Sequence, residues 1–96
     1  MSQYAKGRAY EYKTLRILRK KGWFCHRSAA SHSPVDVFAG KGGKALLIQV
    51  KSGRGRVSED SRRTLIEWGK AFNARVEIWS FKKGASVEVE TVLEGP

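Results

Sequence analysis

The sequence predicts an α/β fold: one layer pair, two helices against a β-sheet, in the order helix, three strands, helix, two strands. Three observations carry this. Gly7, Glu11, Leu15 and Leu18 recur at the four, four, three spacing that keeps side chains on one helical face. Two strand-like runs, residues 34–39 and 45–51, flank the turn sequence Lys41-Gly42-Gly43-Lys44. Leu65, Trp68 and Phe72 then share a second helical face, before two alternating runs at 75–81 and 86–92.

Each element has its own reason. The first helix is expected over residues 3–21, stopped by Gly22 after the basic cluster Arg19-Lys20-Lys21, which suits a helix C-terminus. Residues 23–28 read as a strand ending in the small, polar run 28–33. A two-residue Gly42-Gly43 hairpin pairs Lys41 with Lys44 and sets Asp36 opposite Gln49. After the glycine-rich basic loop 52–57, Ser58 is the expected N-cap of the second helix, with Glu59 and Asp60 in its first turn; Asn73 or Ala74 ends it. Ninety-six residues allow one domain, 1–96, and a chain this small gains from oligomerisation.

Nineteen Lys and Arg against nine Asp and Glu leave a net charge of +10. That excess repels itself unless a polyanion is near, and nucleic acid is the first candidate. No strongly apolar face accompanies the charge, which argues against an acidic membrane surface. Cys25 is alone, so no internal disulfide forms and a reducing compartment fits. With no apolar signal core and no membrane-length run, the expected location is the cytoplasm or nucleoid. His26 and His32 lack companions at zinc spacing.

Four residues carry the chemistry. By strand alternation Asp36 and Phe38 share a face, Val35 and Val37 the other; Gln49 and Lys51 share a face of the next strand. The hairpin register puts the Cβ atoms of Asp36 and Gln49 roughly 4.5–5.5 Å apart, with Lys51 one pleat on. Glu11 lies within the apolar stripe of the first helix. Taken singly, Glu11 reads as a boundary acid paired with a base, Asp36 as the start of a turn and Lys51 as an edge lysine. Gln49 is the most informative, because an amide between Ile48 and Val50 needs a partner. Together they form an oxygen-rich set suited to Mg²⁺ or Mn²⁺. A divalent ion there would activate water and neutralise charge in phosphodiester hydrolysis, with Lys51 orienting the water or offsetting phosphoryl charge.

At these residues the chain resembles the PD-(D/E)xK nuclease superfamily and, more specifically, the archaeal-type Holliday junction resolvases. The matching stretches are Lys6-Gly7 leading to Glu11, Arg27 through Ser31, Val35-Asp36 with Ala39-Gly40, Ile48 through Lys51, and Leu65 through Phe72. The resemblance implies a restriction-endonuclease-like core with a mixed sheet, and a Mg²⁺-dependent homodimer that cuts branched DNA at four-way junctions. It implies metal positions at Glu11, Asp36 and Gln49, a catalytic lysine at Lys51, and Arg27 and Ser28 beside the scissile phosphate. It also implies a dimer face carrying Trp68 and Phe72, which as large apolar residues serve equally as core or interface anchors.

Two departures stand out. Gln49 replaces the usual glutamate, offering a neutral carbonyl oxygen that ligates without adding charge; some superfamily branches with Gln-x-Lys remain nucleases. Tyr12 stands where a basic residue often follows the helix glutamate. Lys6, Arg8, Arg27, Arg54, Arg56, Arg62 and Arg63 are the expected DNA contacts, with steep salt dependence as their signature. Neither a membrane nor a small-molecule cofactor is expected. The alternatives are a transposon- or restriction-type nickase of the same superfamily, a catalytically silent branched-DNA-binding protein, and an RNA-binding accessory protein.

Overall fold

The structure, a computed structural model, describes residues 3–29, 33–53 and 55–96, with side chains from Gly7 onward. Along the chain run α1 (Gln3–Lys20), β1 (Phe24–Arg27), β2 (Val37–Lys41), β3 (Lys44–Ser52), α2 (Glu59–Phe72), β4 (Arg75–Phe81) and β5 (Glu88–Leu93). This is the order the sequence predicts. The strands form one sheet in chain order, with β3 and β4 parallel and the other neighbours antiparallel. The α2 crossover is what lets β4 return in the direction of β3.

Gly42 and Gly43 both have positive φ, 58° and 79°, as a tight two-residue hairpin turn requires. Lys41 therefore pairs with Lys44, and the register runs up to Val37 opposite Ile48. The strand expected from residue 34 starts only at Val37. Before it the chain turns: the Ser33 hydroxyl accepts from the Val35 N–H, and Pro34 has no N–H to give a ladder. The turn also breaks the expected alternation. Val35 and Val37 do not share a face, since Val35 packs with Leu47, Leu65 and Val76 while Val37 packs with Leu15, Leu18 and Ile48.

Those two clusters lie on opposite faces of the sheet, one under α1 and one under α2. Both faces of β3 are covered, which is why Leu46-Leu47-Ile48 reads as a continuous apolar run. Each such fully buried side chain contributes roughly 1.5–3 kcal/mol. Ser58 caps α2 by accepting from the Ser61 N–H, and Asn73 closes it in the left-handed region. Among the described residues no helix is long and apolar enough to cross a membrane.

Gly69 sets how closely α2 approaches the sheet. A Cβ there would stand 2.5 Å from a Val76 methyl and 2.7 Å from a Leu93 methyl. Alanine is the better helix former by ~1 kcal/mol, yet overpacking of this kind costs about 1–3 kcal/mol. Gly69→Ala is therefore expected to lower the urea midpoint. A midpoint equal to or above wild type would show that the helix can move outward without loss.

Candidate active site

Asp36 stands where β1, β2 and β3 meet, and its backbone is held from both sides. Its carbonyl accepts from the Ser28 N–H at 2.8 Å and its N–H donates to the Ile48 carbonyl at 2.9 Å. Because the β2 ladder has already ended, the Val50 N–H of β3 lacks a strand partner, and the Asp36 carboxylate accepts from it at 2.7 Å. The side chain is thus locked by a β3 amide. Desolvation pushes its carboxyl up to about 6 from 3.8; the Val50 N–H opposes the rise and the charge of Glu11 adds to it.

Glu11 approaches from α1. It is half-buried and accepts from Arg27 Nη1 at 3.2 Å. The Arg27 guanidinium also lies over the Tyr12 ring, 5.2 Å from its centroid. Hydrogen bonding to Glu11 raises Arg27 further above its ordinary range, so it stays charged. Ser28, next to Arg27, is tied to the site by its backbone link to Asp36.

Gln49 follows the alternation of β3, on the side of Leu47 and opposite Ile78 of β4, hence on the α2 side of the sheet. Four side chains above one face of one hairpin are therefore not what the fold builds. Glu11 comes from the α1 side, Gln49 from the α2 side, and Asp36 sits at the kink by the end of the β2–β3 ladder. Gln49 Oε1 is buried without a hydrogen-bond partner. Shutting an amide oxygen from water without a donor costs about 1–3 kcal/mol, and a cation would satisfy it. Lys51, one pleat on, reaches the glycine-rich loop, its Nζ 3.7 Å from where a Gly55 Cβ would be, an ordinary contact distance.

Whether these residues suit a divalent ion is decided by the donor set. Among the described residues there is no cluster of three or more His, Cys, Asp or Glu at metal spacing. What is present is two carboxylates close enough to repel, one raised by burial, and a neutral amide oxygen left unpartnered. Magnesium keeps several waters and accepts few protein oxygens. Two carboxylates and a neutral amide oxygen are the donor types that such an ion takes.

The expected DNA contacts are scattered. Lys6 (its side chain) and Arg54 lie outside the described residues, as does His32. Arg8 and Arg56 are exposed. Arg63 pairs with Asp60 in the same exposed helix turn, while Arg62 grips Glu90 with both guanidinium amino groups and donates Nε to the Val57 carbonyl. Arg62 is therefore committed to joining α2 to β5 in the free protein.

Trp68 packs partly against the α2-side core, and Phe72 is 51% exposed. The two rings stack at 5.9 Å, Phe72 meets Phe38 edge-on at 5.9 Å, and Phe38 stacks with His26 at 5.6 Å. Phe24, two residues from His26 on the edge strand, is 85% exposed. Sequence reasoning missed Phe24, His26 and Phe38 as parts of this surface. Their alternation was visible, but not that Phe38 joins Trp68 and Phe72 of α2 while Phe24 stays exposed.

A mixed sheet with a helix on each face, entered by an acid where the central hairpin frays, is the restriction-endonuclease-like fold of PD-(D/E)xK nucleases. Within that class the chain matches the archaeal Holliday junction resolvase (Hjc) family over residues 2–93, and it belongs to that family. Among solved structures it is similar to Archaeoglobus fulgidus Hjc, a Holliday junction resolvase from an archaeal hyperthermophile. The TM-score is 0.79 at 28% identity, over 91% of this chain and 73% of that one.

Proposed function

We propose that this chain, a Holliday junction resolving nuclease by family, cuts through a Mg²⁺ site formed by Glu11, Asp36 and Gln49, as a homodimer in the cytoplasm or nucleoid. The observation that carries the metal reading is the buried, unpartnered Gln49 Oε1 on the strand whose Val50 N–H fixes Asp36. A bound divalent ion would supply a water of lowered pKa and charge neutralisation at the phosphoryl group. Asp36, held by two backbone bonds and one side-chain bond, offers a pre-oriented carboxylate. Lys51 would orient the attacking water or offset phosphoryl charge. Arg27 and Ser28 would lie against the scissile phosphate. Arg8 and Arg56 would track the junction arms, contacts that position rather than select sequence.

The test is a four-way junction with Mg²⁺ or Mn²⁺, alongside linear duplex. Cutting confined to the junction supports resolution, equal cutting of both supports a general nickase, and binding without cutting in either metal supports a silent junction binder. Gln49 makes that last outcome a specific one, because a neutral oxygen lowers affinity for a hard cation. Gln49→Glu is accordingly expected to tighten Mn²⁺ binding about tenfold, read by titration calorimetry. Unchanged affinity would remove Gln49 from the ligand set.

A further inference from the structure

Arg27 has two partners that are neighbours on α1, the Glu11 carboxylate at 3.2 Å and the Tyr12 ring at 5.2 Å. Adjacent helical residues point about 100° apart, so the guanidinium reaches both only by lying across the helix surface. Arg27 and Glu11 are each about one-fifth exposed, 23% and 20%, so solvent and salt screen the pair incompletely. Glu11 is also the acid whose charge is felt at Asp36. A resident guanidinium thus occupies one of the carboxylates proposed above to hold the ion.

We propose that Arg27 is the counter-ion of Glu11 in the metal-free enzyme and passes to a DNA phosphate when a divalent ion claims Glu11. Metal loading and junction engagement are then coupled through one side chain. Tyr12 is the positioning residue. Its ring attracts the guanidinium without competing for the metal, so Arg27 stays at the site once Glu11 lets go, whereas a basic residue at position 12 would push it away. Coupling of this kind is reciprocal, so DNA must raise metal affinity by the factor with which metal raises DNA affinity. The inference rests on the metal-site reading above.

Mn²⁺ titration of the DNA-free chain tests the exchange in wild type, Arg27→Gln, Glu11→Gln and the double variant. Arg27→Gln is expected to tighten Mn²⁺ binding about fivefold when Glu11 is present, and by less than ~2-fold once Glu11 is already glutamine. Arg27→Lys, which keeps the charge and guards against misfolding, is expected to stay near wild type. Equal tightening in both backgrounds would reduce the effect to long-range charge and overturn the exchange, as would no tightening at all. For Tyr12, junction binding is measured with Ca²⁺ present. Tyr12→Leu is expected to weaken it about fivefold or more while Tyr12→Phe restores it, and wild-type binding by Tyr12→Leu would end the positioning role. If wild type binds no Mn²⁺, or binds it as well after Asp36→Asn, the metal site itself is wrong, a result distinct from failure of the exchange alone.

Discussion

Asp36→Asn is expected to lower junction cleavage by ~10²–10³-fold or more, the scale of losing one preorganised charge-stabilising group, while junction binding in Ca²⁺ stays within a few-fold of wild type. Asparagine keeps an oxygen to accept from the Val50 N–H, so the turn before β2 is retained and only the charge is lost. The same substitution is expected to make the metal-free protein more stable. Asp36 is pushed up to about 6 in the folded state from 3.8, so between about pH 4 and pH 6 the folded chain binds this proton more tightly than the unfolded chain. Stability contributed by the group is full below the lower value, falls as pH rises through that window, and stays reduced at neutral pH. The limit is ~3 kcal/mol, and about 1–2 kcal/mol after allowing for partial solvent contact. Wild type minus Asp36→Asn, followed by urea unfolding at pH 4.5 and 7.5 without metal, isolates the contribution of this carboxyl. The variant's advantage is expected at pH 7.5 and to shrink at pH 4.5. Unimpaired cleavage by Asp36→Asn would remove the proposed metal centre; an advantage that grows towards acid would show that the carboxyl is not desolvated as the fold places it.

Phe72→Glu is expected to weaken self-association by at least ~30-fold, the weight of one interface hot spot, and to convert paired incisions at a junction into single ones. Phe72 is half exposed at the end of the run Phe72, Trp68, Phe38, His26, with Phe24 more exposed beyond it. An apolar surface anchored by Trp and Phe is the composition of an interface, and a two-fold axis would present the same patch from both protomers. Sedimentation equilibrium reads the association and a nicked-junction assay reads the pairing of cuts. Phe72 lies outside the buried core, so the variant is expected to fold; Phe24→Glu probes the β1 end of the patch. Wild-type association in both variants would exclude this surface as the dimer contact.

What the linear sequence decided by itself was local in origin. The Gly-Gly turn set the β2–β3 register, Ser58 and Asn73 bounded α2, and helical spacing placed Leu15, Leu18 and Leu65 in the core. Each depends on backbone preferences and side-chain periodicity within a few residues. Motif order along the chain also sufficed for the family.

Only tertiary structure decided how the site is assembled. Strict alternation put Val35 with Val37 and Asp36 on a regular strand, but the Ser33–Val35 turn breaks the pleat and sends the two valines into different cores. That kink turns the Asp36 carboxylate to the Val50 N–H of β3 and within reach of the charge of Glu11. The grip of Glu11 and Tyr12 on Arg27, the commitment of Arg62 to Glu90 and the partly exposed aromatic run had the same origin. Burial, charge proximity and exposure are set by segments far apart in the chain, so they exist only once both helices have closed on the sheet.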